Sequence, residues 1–257
     1  MKKGQVAVFM IVGLVLVIIV ILLFILNSQN VIDLPMGSKD VNSQLNVKMG
    51  SIENKINDCI EEEGEAIVQE LISNAGVFNS VNYITYMGNT YGILCTNIKD
   101  SDKCVSSPVI LSTLKEKIDN AFEERLTHCV EINKFGSSDT TVTAKSIDID
   151  TTIEEDNIFI KLNYPVTLTK DETTKTVDTF VHQIDVPLGA MVDSVNDILN
   201  TESEGLNFDP LAYGLQSMSK KVVVVHRPYP HKTFDVFIEG YEDYKFLFAV
   251  EGESRFE

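Results

Sequence analysis

The sequence VAVFMIVGLVLVIIVILLFIL, from Val6 to Leu26, contains no charged residue and no proline, and the rest of the chain is organised around it. A helix of these 21 residues is about 31 Å long, close to the ~30 Å hydrocarbon thickness of a bilayer. A helix satisfies its backbone hydrogen bonds internally, so a single one can cross lipid. The stretch therefore predicts a transmembrane helix at residues 6–26, with the lipid bilayer as its partner.

The flanking residues predict which side of the membrane each end occupies. Lys2 and Lys3 precede the apolar stretch, and the next basic residue is Lys39. The positive-inside rule places the N-terminus in the cytoplasm and the C-terminal part outside the cell, which predicts a single-pass cell-membrane protein. A cleaved signal peptide would have a shorter apolar region and a small-residue cleavage site, and a buried soluble helix would have a polar face.

The residues before the apolar stretch carry a family likeness. Lys2-Lys3-Gly4-Gln5 followed by an apolar helix resembles the class III signal peptide of archaeal type IV pilin-like proteins. The resemblance implies cleavage between Gly4 and Gln5 by a prepilin-type peptidase, and retention of the helix as an anchor and as the packing helix of a filament of like subunits. Ala7 and Phe9 stand where the family usually carries Ser and Glu. In that family the Glu supports the registration of subunits in the filament. Its replacement by Phe9 therefore argues against filament assembly more than against membrane anchoring.

The remainder of the chain is similar in outline to archaeal anchored proteins with the same KKGQ start. These proteins have two cysteine-bearing helices followed by a strand-rich half. The corresponding stretches are 56–60 (INDCI), 125–130 (RLTHCV) and 244–249 (YKFLFA).

The composition is acidic. The chain of 257 residues has a formal net charge of −17. Residues 27–257 carry −19, because the first 26 residues contain two lysines and no acid. This charge argues against nucleic acid as a partner and against association with anionic lipid, and it favours a soluble exterior. The composition does not identify an extracellular ligand.

The four cysteines are Cys59, Cys95, Cys104 and Cys129, all on the side predicted to be extracellular. An even number of cysteines outside the cell indicates disulfides, here two, with three possible pairings. We favour the nested pairing, in which Cys95–Cys104 closes a polar loop and Cys59–Cys129 joins two predicted helices. A zinc site is the alternative, but the sequence has no CxxC motif.

Periodicity predicts an α+β protein with a leader at 1–5, a membrane helix at 6–26, a linker at 27–40, a helix-rich region at 41–135 and a strand-rich region at 136–257. The expected sheets are mostly antiparallel.

Helices are predicted at 41–75, from Ser107-Pro108 to 129, and at 189–200. Strands are predicted at 81–95 as a hairpin, then at 142–153, 158–168, 177–186, 222–225, 234–238 and 244–250. Pro165 moves its strand to an edge or a bulge. Residues 201–214 are expected to form a loop.

Catalytic motifs are missing from the sequence, which has no Ser/His/Asp order, Gly-rich phosphate loop, zincin helix or paired-carboxylate cleft. We therefore expect a non-enzyme without catalytic residues, cofactor or metal. Weaker features are a candidate tyrosine platform (Tyr83, Tyr86, Tyr91), acidic residues around one strand (Asp148, Asp150, Glu154, Glu155, Asp156) and a histidine pair (His226, His231). The alternative interpretations are that the tyrosines are half-buried in a sheet and that the carboxylates lie on the solvent-exposed face of their strand.

Three functions remain as expectations. The first is a membrane-anchored, pilin-like surface protein in filament assembly, adhesion or envelope organisation. The second is an anchored binding or sensor ectodomain that does not assemble. The third is an anchored hydrolase, which would need His182, His226 or His231 to converge with carboxylates in a cleft.

Overall fold

The structure is a computed structural model that describes residues 41–78, 82–227 and 231–252. The expected membrane helix, leader and linker lie outside these residues. Within the described part, no helix is long and apolar enough to cross a membrane. Residues from Leu45 onward form one compact unit, and of the preceding unit, Met1–Gln44, only the first residues of a helix are described.

The first helix, α1, runs over Val41–Ser73 and confirms the prediction from isoleucine spacing. Ile52, Ile56, Ile60 and Ile67 are fully buried, because their spacing places them on one side of the helix. The turn that follows the helix contains Gly76, whose φ of +79° suits a left-handed cap and whose N–H donates to Leu71 O at 2.8 Å.

The second helix, α2, covers Leu111–Val130 and begins later than predicted. The sequence placed its start at Ser107-Pro108, but the backbone of these residues is held by other elements. Ser107 N donates to Leu94 O at 2.7 Å, and Val109 N donates to the Asn196 side chain at 2.9 Å. Ile110 therefore becomes the residue that precedes the helix. A 3₁₀ turn, Ile132–Phe135, follows α2.

The first sheet combines strands from both ends of the chain. The strands are β1 (Tyr83–Tyr86), β2 (Asn89–Asn97), β3 (Cys104–Ser106), β8 (Val222–Arg227), β9 (Lys232–Ile238) and β10 (Phe246–Val250). Their order is β1-β2-β10-β9-β8, with β3 also paired to β2. The pairs are antiparallel except β2 with β10, where Phe248 pairs with Gly92 in parallel. Every residue of β10 is buried, as expected for a central strand covered on both faces.

The second sheet contains β4 (Thr141–Ala144), β5 (Asp148–Ile153), β6 (Ile158–Lys170) and β7 (Thr173–Ile184). All pairs are antiparallel, and β6 is central, with β4 and β5 on one side and β7 on the other. The edge position considered for Pro165 is therefore wrong, and the bulge is confirmed. The register against β7 slips between Asn163 and Val166, so the missing N–H of Pro165 falls where the ladder is already interrupted.

Two further helices complete the fold. The helix α3, Leu188–Ser203, extends the predicted helix by a few residues. The helix α4, Pro210–Gln216, replaces part of the expected loop. Its start is set by Asp209, whose carboxylate accepts from Leu211 N at 2.9 Å and from Ala212 N at 3.2 Å, and by Pro210 at the first helical position. The described residues thus form an α+β fold with mostly antiparallel sheets.

Candidate functional site: a polar cleft beside a buried ion pair

A cleft of about 600 Å³ lies between α1 and the first sheet. One wall is the exposed side of α1, where Ala66, Gln69, Glu70 and Ser73 share a face because they are three or four residues apart. The opposite wall and the rim come from the sheet and from the turn between β9 and β10, with Asn89, Asp235, Leu247, Glu242, Asp243 and Lys245. The cleft thus joins polar side chains from segments far apart in sequence.

Asp235 is the most deeply placed charged residue of the cleft, with only 6% of its surface exposed. Both guanidinium nitrogens of Arg227 contact its carboxylate, at 2.9 Å and 3.0 Å. The hydroxyl of Tyr91 donates to the same carboxylate at 3.0 Å. A buried carboxylate is stable only when its oxygens are satisfied, and these three donated hydrogen bonds do so. We call Arg227, Asp235 and Tyr91 the buried triad.

The strand pairing explains how the buried triad forms. Asp235 in β9 is opposite Val225 in β8, so Arg227, two residues further along β8, lies diagonally on the same face. On the other side of β9, Leu247 of β10 is paired with Asp235. The side chain of Arg227 also lies over the ring of Tyr86, with its Cζ 5.7 Å from the ring centroid.

The electrostatics of the buried triad follow from this geometry. The hydrogen bonds and charge of Asp235 raise the pKa of Arg227, which keeps the guanidinium charged. Burial raises the pKa of Tyr91, and the Asp235 carboxylate raises it further because it accepts the hydroxyl proton. Tyr91 is therefore a neutral donor at physiological pH rather than a phenolate base.

The cleft is acidic. Its carboxylates are Glu70, Asp235, Glu242 and Asp243, and its one lining cation among the described residues is Lys245. Glu70 is paired with Arg125 of α2. Glu242 accepts from Gly240 N at 3.0 Å, and backbone hydrogen bonds lower the pKa of Glu242. The lining therefore offers more acceptors than donors to a ligand.

A second buried polar cluster lies under α3. The carboxylate of Glu202, 3% exposed, accepts from Lys232 Nζ at 2.5 Å and from Phe208 N at 3.0 Å. His226 stacks on Phe234 with ring centroids 4.7 Å apart. The ring atom Nε2 of His226 is buried and has no hydrogen-bond partner in the described structure. Burial lowers the pKa of His226, partly opposed by the nearby Glu202. This cluster holds α3 against β9.

The cysteines pair in the nested arrangement that the sequence favoured. Cys59 of α1 is bonded to Cys129 of α2, and Cys95 of β2 to Cys104 of β3. No cysteine is free, so none remains for the alternative zinc site. The predicted processing residues, Gly4 and Gln5, lie outside the described residues.

The other sequence candidates do not come together. Tyr91 is buried, whereas Tyr83 is 56% exposed, so they do not form one platform. No histidine is among the described residues that line the cleft. His182 lies in the second sheet, opposite Ile160, and His226 lies in the first sheet, opposite Phe234.

The acidic strand and the histidine pair are also accounted for by protein contacts. Asp150 is exposed, as predicted, and contacts Lys115 at 2.8 Å. His231 accepts from Gly252 N at 3.0 Å through Nδ1. Among the described residues, no group of three His, Cys, Asp or Glu side chains could hold a metal ion.

The sequence did not indicate the cleft. Phe234, Val236 and Ile238 alternate, and this alternation gives no sign that the intervening Asp235 is buried. The structure covers that face too, and pairs Asp235 with Tyr91, 144 residues earlier. Comparisons with protein-family models, with curated proteins and with solved structures found no match to this chain.

Proposed function

We propose that this chain is a single-pass, membrane-anchored surface protein whose domain from residue 45 onward is extracellular and binds a ligand in the cleft. The observation that carries the extracellular placement is that all four cysteines are paired in disulfides. Disulfides persist in oxidising compartments and are rare in the cytosol. The apolar sequence 6–26 supports the anchor, and Lys2 and Lys3 support the orientation.

The Lys-Lys-Gly-Gln start supports processing by a prepilin-type peptidase between Gly4 and Gln5. In this proposal the processed helix remains in the membrane as an anchor. Recognition by the outer domain provides adhesion or organisation of the envelope, without a catalytic step.

The buried triad supports the cleft as the recognition surface. The Asp235 carboxylate is held by two guanidinium hydrogen bonds and one from a hydroxyl, which leaves one of its roughly four acceptor positions for a ligand. Because the carboxylate is already fixed, it loses little conformational freedom on binding. The acidic lining favours a ligand rich in hydrogen-bond donors, such as an amine or guanidinium group.

The anchoring proposal is tested on protein isolated from native membranes. We expect the mature N-terminus to be Gln5, the chain to resist carbonate extraction, and the domain to be digested by protease added to intact cells. Gly4→Val should block cleavage, and Gly13→Val, within the apolar stretch, is the matched control that should not. A carbonate-soluble or protease-protected domain would contradict the anchored, extracellular placement.

The cleft proposal is tested by thermal shift with arginine, spermidine and N-acetylglucosamine as probes. We expect the two cationic probes to raise Tm and the neutral sugar to have little effect. Ala66→Leu narrows the cleft and should reduce the shift, whereas Glu62→Leu, exposed on α1 but outside the cleft, should retain most of it. Equal shifts in both variants would place the binding elsewhere.

Filament assembly is the second candidate, favoured by the pilin-like start of the sequence. Electron microscopy of native envelopes separates the two modes. Filaments that carry this chain would support assembly, and protein dispersed over the membrane would support the lone binding domain.

A further inference from the structure

The helix α4 exposes large apolar side chains on one side. Leu211 and Leu215 are 82% and 73% exposed, and Met218, just after the helix, is 71% exposed. Their spacing of four and three residues places Leu211 and Leu215 on one helical face, with Met218 next in that series. We call these three residues the leucine face.

The exposure is fixed by the packing of the other side of α4. The ring of Tyr213 lies 5.2 Å from that of Phe208, and the Tyr213 hydroxyl donates to Asp197 Oδ2 at 3.0 Å. Asp209 caps the helix through two backbone N–H groups. Because these contacts set the rotation of α4, the leucine face cannot turn inward without losing them.

In sequence, the leucine face lies between Asp209, which caps α4, and a pair of lysines. Residues 210–219 contain no charged residue, and Lys220 and Lys221 follow directly. Lys220 contacts Glu155 at 2.8 Å, and the Lys221 residue is exposed. In a chain of net charge −17, this combination of protruding apolar side chains with lysines beside them is a local exception.

We infer that the leucine face docks onto the lipid bilayer, at the boundary between headgroups and acyl chains. Exposed apolar side chains with an exposed lysine, Lys221, beside them are suited to interfacial insertion, whereas a bound peptide helix needs a groove. The strong negative net charge opposes a second copy of this chain as the occupant.

The inference rests on the proposed membrane anchor. The linker at 27–40 has 14 residues and reaches at most about 50 Å, so the domain stays near the membrane. Three side chains supply only weak, reversible binding, comparable to a single acyl chain at most. A tether raises the effective lipid concentration enough for a weak contact to be occupied.

The test uses the full chain in phosphatidylcholine vesicles at a low protein-to-lipid ratio, with the native disulfides kept oxidised. A fluorophore is attached at Gln216→Cys, beside the leucine face, or at Val181→Cys, a control position on β7 that is 65% exposed. We expect lipids spin-labelled near the headgroup to quench the fluorophore at 216 at least threefold more than the fluorophore at 181. Leu211→Gln with Leu215→Gln should abolish the difference, and Met218→Gln alone should reduce it.

Flotation of the vesicles separates this inference from the anchoring proposal. If the chain floats and both fluorophores are quenched equally, docking of α4 is wrong while anchoring stands. If quenching at 216 is no stronger than at 181 and falls further as the protein density rises, a second copy covers the leucine face instead. A chain that does not float would overturn both the anchor and the docking that depends on it.

Discussion

Gly64 of α1 lies directly against the ring of Phe122 in α2, so that a Cβ atom built at Gly64 would be 2.9 Å from Phe122 Cζ. The same Cβ would be 2.9 Å from Ile184 Cδ1 of β7. Gly64 is therefore where α1 approaches both α2 and the second sheet, rather than a weak point in the helix.

Gly64→Ala should lower the free energy of unfolding by about 1–2 kcal/mol. Overpacking costs about 1–3 kcal/mol, and the better helix propensity of alanine returns up to about 1 kcal/mol. The matched control is Gly50→Ala in the same helix, where a Cβ meets no atom within 4 Å. We expect this control to raise the free energy of unfolding by about 0.5–1 kcal/mol, and urea denaturation measures both variants. Stabilisation by both substitutions would contradict the close packing at Gly64.

The buried triad predicts a non-additive pair of substitutions. Arg227→Met should cost about 2–4 kcal/mol of stability, because it leaves Asp235 buried without its cation; the partial exposure of Arg227 reduces the usual penalty. Asp235→Leu combined with Arg227→Met removes both charges and should recover much of this loss. Tyr91→Phe should cost about 1 kcal/mol. A double-mutant cycle measures the coupling, and additive losses would show that the ion pair contributes little.

The disulfides should differ in their contributions. Cys59–Cys129 spans 70 residues and Cys95–Cys104 spans 9, so loop-closure entropy predicts about 4 and about 2.5 kcal/mol. We expect Cys59→Ala with Cys129→Ala to lower Tm more than Cys95→Ala with Cys104→Ala. Calorimetry without reductant measures both. The reverse order would mean that native packing, rather than the unfolded chain, determines the effect.

Stability should depend on the charge state of His226 at mildly acidic pH. Burial lowers the pKa of His226 in the folded protein, so below about pH 6.5 the unfolded chain binds a proton that the folded chain does not. Stability is therefore lost as the pH falls, by at most about 1.4 kcal/mol per pH unit from this group. His226→Phe keeps a ring against Phe234 and should reduce the slope between pH 6.5 and 5. Urea denaturation of the wild-type protein and of His226→Phe across this pH range measures how stability depends on pH in each. Parallel plots of stability against pH would contradict a contribution from His226.

Local patterns predicted the elements that depend on local contacts. The isoleucine spacing gave α1 because one buried face is sufficient to specify a helix in a core. Alternation over residues 158–168 identified β6, the longest strand described. The helix α4 was missed although its signal, Asp209 before Pro210, was readable in the sequence as a capping residue and a first-turn proline.

Long-range relationships could not be predicted in this way. No local pattern indicates that β10 pairs in parallel with β2, or that both faces of the first sheet are covered. The cleft depends on both facts, because Asp235 becomes buried only when Tyr91 and Leu247 lie beside it. The start of α2 moved for the same reason, since Asn196 and Leu94 bind backbone groups that the helix would otherwise use.

The parallel pairing of β2 with β10 has a consequence for the biogenesis of the protein. During synthesis, β2 emerges long before β10, the strand that lies between it and β9, so one edge of the first hairpin stays open until β10 arrives. A ribosome that stops before Phe246 would release a product with an unpaired edge, which is a site for aggregation. The five residues of β10 thus set the moment at which the first sheet of the nascent domain becomes continuous.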